Sequence, residues 1–111
     1  MKILQKICCV LLMTTFSSVY GGSCWDDKDV DDCRVKAEQG DAIAQYFLGR
    51  MYYLGQGVIQ DDVMAHMYWN IAAVSGHKSA IKHRCMVEEL MTPSQLEKAQ
   101  DLAREWMRNH Q

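Results

Sequence analysis

The stretch AEQGDAIA at residues 37–44 recurs 36 residues later as AVSGHKSA at residues 73–80. The two copies share Ala37 with Ala73, Gly40 with Gly76 and Ala44 with Ala80, and they place Asp41 and His77 in the same register. An offset in the mid-thirties is typical of stacked helix pairs, because a helical hairpin has an apolar face that it cannot bury alone and covers it with a copy of itself. Gly40 and Gly76 are therefore expected to mark equivalent corners of two antiparallel pairs.

Working outward from these corners, the apolar residues keep helical spacing and never alternate over four or more residues as a strand would. Ala44, Leu48, Met51 and Tyr52 line one face of a segment that Asp41 can cap and Gly55 can stop. A second helix is expected from Asp61 or Asp62 to Gly76, with Ala65, Tyr68, Ile71, Ala72 and Val74 on its apolar stripe, and a third over residues 77–90. Thr92-Pro93-Ser94-Gln95 combines a hydroxyl N-cap, a proline at the first helical position and a glutamine three residues after the cap. The helix it opens carries Leu96, Ala99, Ala103 and Trp106 as one stripe, with Met91 and Leu96 at staple spacing and Arg104 and Arg108 near its C-terminal end. A shorter helix over residues 29–39 precedes Gly40. The predicted fold class is all-α, a short α-solenoid of antiparallel helix pairs with about five helices.

The beginning of the chain reads differently. Lys2 and Lys6 precede an uncharged apolar stretch over residues 7–19, followed by small residues, which is the layout of a secretory signal peptide. That stretch is shorter than the roughly 20 residues a membrane-crossing helix needs. Residues 1–21 are thus expected to be a signal peptide, residues 22–34 an acidic segment with a partial helix, and residues 35–111 the repeat domain. Val19 and Gly21 place cleavage after Gly21. A lipoprotein reading would instead use Cys24, but Gly21 fits poorly three residues before it. No membrane span is expected after cleavage, and the expected location is the periplasm or beyond the cell.

Composition agrees with one globular domain: 111 residues, 49% hydrophobic and 23% charged, exclude a disordered chain and a multi-span membrane protein. Fourteen acidic against twelve basic residues, with no Lys/Arg stripe, argue against a nucleic-acid partner. Of the five cysteines, Cys8 and Cys9 would leave with the signal peptide. The short segment between Cys24 and Cys33 favours a disulfide there, with Cys85 spare; three reduced thiols, or Cys24 paired between chains, are the alternatives.

Ala37-Glu38-Gln39-Gly40-Asp41-Ala42, Leu48-Gly49 with Met51-Tyr52, Gly55-Gln56-Gly57-Val58, Ala65 with Trp69 and Ala72-Ala73, and Gly76-His77 together resemble the Sel-one-like repeat, a relative of the tetratricopeptide repeat. The segment from Met91 to Trp106 is similar to the end of many small secreted bacterial members. The resemblance spans about residues 35–106. It departs at Cys33, which stands where the central unit has Trp69, and at Arg84-Cys85, which replace Leu48-Gly49. What it implies is an α-solenoid that binds a protein or peptide partner without catalytic machinery, and the single complete repeat points to end helices, a disulfide or self-association into a homo-oligomer for support.

In related solenoids the first helix of each pair lines the concave side. Tyr46, Arg50 and Tyr53 cluster opposite the Ala44/Leu48/Met51 stripe at 100° per residue, and Lys82, Met86 and Glu89 hold the same positions one repeat later. Tyr and Arg are enriched in binding hot spots, so these six residues are the candidate partner surface. Tyrosines at helical spacing also serve as packing residues.

The remaining motifs fail on context. Gly55-Gln56-Gly57 joins two helices and lacks the strand a phosphate cradle needs. Asp27, Asp29, Asp31 and Glu38 match calcium-loop positions, but Asp32 replaces the required glycine and the repeat register makes this segment helical. His66, His77, His83, His110 and Cys85 show no metal-ligand spacing and are expected as exposed residues. Ser75 and Lys78 match a serine–lysine pattern of penicillin-recognising enzymes, an activity attributed to cysteine-rich members of the resembled family, yet Ser75 falls at a helix end and the companion motifs are missing. No catalytic residue, metal or cofactor is expected. The alternatives to an adaptor are a β-lactam-binding or hydrolysing repeat protein and a self-associating envelope protein.

Overall fold

A computed structural model describes Cys24 and residues 29–111. The expected signal peptide lies outside the described residues, as does Asp27 of the calcium-loop pattern. Five helices follow in order: α1 (Val30–Glu38), α2 (Ala42–Leu54), α3 (Asp62–Val74), α4 (Lys78–Glu88) and α5 (Pro93–Asn109). The described residues contain no strand.

The two glycine corners are superimposable in their bonding. At the first, the Gly40 N–H donates to the Ala37 carbonyl at 3.1 Å and Asp41 N–H to Lys36 at 3.1 Å; at the second, Gly76 donates to Ala73 at 2.9 Å and His77 to Ala72 at 3.2 Å. Both glycines have positive φ, +92° and +86°, which a side chain would make costly. The next helix is then capped from the same register. Asp41 Oδ1 accepts from Ala44 N–H at 3.2 Å, and His77 Nδ1 accepts from Ala80 N–H at 3.1 Å. A repeated sequence thus produces a repeated helix stop, corner and helix start.

Helix α3 is the hub, in contact with α2, α4 and α5. Its residues Ala65, His66, Met67, Tyr68 and Trp69 are all buried, as a helix wrapped on every side must be. Helices α2 and α4 form one layer, joined where the Tyr46 ring stacks on His77 at 4.8 Å and meets His83 edge-on at 5.3 Å. The other layer holds α1, α3 and α5, the last packing through Ala99 and Ala103. Val74, expected on the buried stripe, is instead 68% exposed, because the end of α3 reaches the rim of an open cavity beside α5.

One close approach sets the spacing of the layers. Trp69 is fully buried, and its indole N–H donates to the Tyr46 carbonyl at 3.0 Å. A Cβ at Gly49 would meet Trp69 Nε1 at 2.6 Å, so only glycine lets the α2 backbone receive the ring. Burying an indole stabilises the fold by about 4–6 kcal/mol of transfer free energy. At the ends of the array this pairing is replaced. Cys33, one repeat before Trp69, is fully buried and disulfide-bonded to Cys24, with Cα atoms 4.8 Å apart. Cys85, one repeat after Gly49, is a free, exposed cysteine.

Two outcomes test this packing. Gly49→Ala is expected to lower stability by about 1–3 kcal/mol even after a helix-propensity gain of up to about 1 kcal/mol, seen as a lower denaturant midpoint. An unchanged midpoint would show that the indole has room to move. Replacing Cys24 and Cys33 together by Ser is expected to remove about 2–4 kcal/mol by freeing the unfolded chain, and a melting temperature unaffected by reductant would contradict it.

Candidate functional site

The outward face of α2 and α4 is built along the seam between the two helices. Tyr46 and Tyr53 are half-buried in its floor: Tyr53 packs on Trp69 with ring centroids 5.6 Å apart, and Trp69 in turn meets His83 at 5.2 Å. Arg50 is exposed on α2, between the two tyrosines. On α4, Lys82 and Met86 are exposed, the latter at 41%, and Glu89 is exposed at the helix end. The six residues differ in kind: Tyr46 meets His83 of α4 and Tyr53 meets Trp69 of α3, whereas Arg50, Lys82, Met86 and Glu89 are exposed. The tyrosine rings belong to the framework, and the other four side chains face solvent. Sequence spacing alone placed the tyrosines opposite the core stripe; Trp69 and α4 approach α2 from the Gly49 side and cover them.

The two helices expose further residues that the spacing did not single out. Lys78, one turn before Lys82, is exposed on the same side of α4, and Ile43 and Leu54 are partly exposed at 40% and 48% on the outer side of α2. Their signal was an exposed position beside Arg50 and Lys82 on a helical wheel.

The histidines do not converge. Rather than being exposed, His66 is buried beneath α4, where its Nε2 lies 2.9 Å from Glu88 Oε1 and its Nδ1 has no hydrogen-bond partner among the described residues. Arg84 approaches the same carboxylate at 4.0 Å and donates to Asn70 at 2.9 Å. His77 caps α4, and His83 Nδ1 donates to the Ser79 carbonyl at 2.7 Å. Among the described residues no three His, Cys, Asp or Glu side chains are grouped to hold a metal ion. The Asp29 to Glu38 segment is helix α1 with Asp29 as its N-cap, accepting from Asp32 N–H at 3.1 Å.

A concavity of about 190 Å³ opens between the first corner, the end of α3 and the last turns of α5. Ser75 lines it as the C-cap of α3, while Lys78 begins α4 beyond Gly76, so the serine and lysine do not share a helix. His110 lines the same space but is committed elsewhere. Its Nδ1 is 2.6 Å from the Trp106 carbonyl and its Nε2 is 2.6 Å from Glu38 Oε2. Both partners are acceptors, an arrangement that favours the protonated ring, in which both nitrogens donate. Trp106 stacks on that ring at 3.9 Å and donates its indole N–H to Glu38 Oε1 at 3.2 Å. The result is a clasp between the ends of α1 and α5, not a nucleophile with a base.

The aromatic contacts among Tyr46, Tyr53, Trp69 and His83 are formed by the pair α2–α3 and the helix that follows it. Residues 42–77, which run from the first residue of α2 to the cap of α4, match the family model described as Sel1 repeat. This segment is a Sel1 repeat. No curated protein and no solved structure matches the chain significantly. The Sel1 repeat accounts for Gly49, Trp69 and Gly76, which all lie inside the matched residues. Sel1 repeats are generally non-catalytic and generally mediate protein–protein interaction. Among the described residues no helix is long and apolar enough to cross a membrane.

The clasp gives a pH dependence of defined sign. The Trp106 carbonyl, and after it the Glu38 carboxylate, raise the His110 pKa above its ordinary value. The stabilisation is therefore complete below the ordinary histidine range, near pH 6.5, and is lost as pH rises through the raised value. His110 resonances followed by NMR are expected to titrate above the ordinary value, with faster amide exchange in the last turn of α5 at alkaline pH. Glu38→Gln should bring the titration down, and an unchanged titration in that variant would refute the clasp.

Proposed function

We propose that this chain is a non-enzymatic protein-interaction module whose partner surface is the α2/α4 seam, formed by Tyr46, Arg50, Tyr53, Lys82, Met86 and Glu89, and that it works in the periplasm or outside the cell. The observation that carries this reading is the exposure of Arg50, Lys82, Met86 and Glu89 on α2 and at α4, two helices joined by aromatic contacts among Tyr46, Tyr53, Trp69 and His83. Exposed charged and thioether groups on helices held by a packed aromatic cluster suit recognition, since the backbone that presents them does not have to be ordered on binding. The matched Sel1 repeat supports a protein as the partner. The Cys24–Cys33 disulfide supports an oxidising compartment.

Because Tyr53 also holds the fold together, the test uses exposed positions. Arg50→Ala with Met86→Ala is expected to keep the wild-type melting temperature and to reduce partner recovery, in cross-linking with mass spectrometry in the native host, by about tenfold or more, equivalent to ~1.4 kcal/mol. Recovery equal to wild type for every partner would refute this surface.

A further inference from the structure

Three helices end at one cavity. Gln39 at the end of α1, Val74 and Ser75 at the end of α3, and Met107 and His110 at the end of α5 all line the concavity of about 190 Å³, and Gln45 of α2 adds to its wall. A helix C-terminus carries leftover carbonyls and the negative end of the macrodipole, so three of them around one opening favour a positive ligand. No lysine or arginine lines the space, and the protonated form of His110 is balanced by the Glu38 carboxylate 2.6 Å away. Gln45 supplies an independent observation. It is only 1% exposed, its Nε2 donates to the Ala37 carbonyl at 3.1 Å, and its Oε1 has no hydrogen-bond partner among the described residues. A buried acceptor left unpaired is costly, so this oxygen calls for a donor.

We propose that this cavity binds a small organic ammonium, with Gln45 Oε1 and the Ser75 hydroxyl as the acceptors its wall offers and Ile71, Trp106 and Met107 as the surface for the apolar body. The site shares no residue with the α2/α4 partner surface and does not rest on it. The volume sets the size of the ligand. A cavity of about 150 Å³ is enough to hold benzene, so this one suits a body of roughly four to six carbons. The lining sets its charge. An anion would need donors, but the Trp106 indole N–H and the His110 Nε2 are committed to Glu38, His110 Nδ1 to the Trp106 carbonyl, and Gln45 Nε2 to Ala37. What remains is acceptors, an indole and a thioether, and an aromatic ring attracts a cation through its quadrupole. A metal ion fits worse, since among the described residues no three His, Cys, Asp or Glu side chains are grouped to hold one.

The test is an NMR titration of the full mature chain with butylammonium, and with 1-butanol and butyrate as neutral and anionic probes of the same carbon length. Butylammonium is expected to bind with a Kd of ~1–10 mM, a range reasonable for so few heavy atoms, and to shift the Trp106 indole N–H and the Ser75 amide while leaving the Trp69 indole unmoved. 1-Butanol is expected to bind at least fivefold more weakly, and butyrate not at all at about 50 mM. Val74 is 68% exposed at the rim, so its charge can be varied without disturbing the core. Val74→Lys is expected to keep the wild-type melting temperature and weaken butylammonium at least fivefold, and Val74→Glu to strengthen it at least twofold. A free amine and the lysine of a partner chain carry the same group, which N-acetyl-lysinamide distinguishes. Tighter binding of butylammonium assigns the free amine, tighter binding of N-acetyl-lysinamide assigns the lysine, and either supports an ammonium site. Equal binding of 1-butanol, tighter binding of butyrate, shifts that miss Trp106 and Ser75, or an affinity untouched by Val74→Lys would each overturn the proposal. Failure of every probe to bind would overturn it as well and leave Gln45 Oε1 to water.

Discussion

The seat of the Trp69 indole on the bare backbone of Gly49 is the constraint from which the rest of the molecule follows. A side chain on Gly49 would overlap the indole nitrogen, and with none there the ring lies flat enough on α2 for its N–H to bond the Tyr46 carbonyl. That single seat sets the distance between α2 and α3. Tyr53 and His83 then pack on the remaining faces of the same indole, so the position of α4 is fixed by the same side chain. A ring that serves three helices cannot shift for one of them without disturbing the others, which is how dense packing transmits a local requirement across a small core.

The ends of the array must do without this device, and they do so by different chemistry. Upstream, the residue in register with Trp69 is Cys33, too small to fill a layer, and a covalent bond to Cys24 anchors it. Downstream, the residue in register with Leu48 is Arg84, which caps the core with a hydrogen bond to Asn70 and an approach to Glu88. Ala80 and Val87 keep the repeat pattern and stay fully buried. The terminal unit is therefore apolar toward its neighbour and polar toward solvent, as an end repeat has to be.

Much of this was legible in the chain because local signals and the global fold agree. The corners at Gly40 and Gly76, the caps at Asp41 and Thr92 and the capping box at Gln95 are short-range features, each determined within a few residues, and the structure has them where the sequence places them. The Sel1 repeat pattern could be read for the same reason. What the sequence hid depends on pairs far apart along it. Glu38 and His110 are 72 residues apart, and nothing near either one signals their contact. His66 reads as a surface histidine on composition, but α3 is covered on every side and Glu88 of α4 closes over it. Tyr46 and Tyr53 could be placed beside Arg50 by periodicity, whereas their orientation toward Trp69 depended on which flank of α2 the neighbouring helix would occupy.

The Glu38, Trp106 and His110 clasp ties the end of α5 to the end of α1. In stacked repeats each unit leans on its neighbours, so the outermost helices usually have one side unsupported. Here a contact spanning 72 residues of sequence joins them, and fraying of either helix end has to break the same two hydrogen bonds to the Glu38 carboxylate.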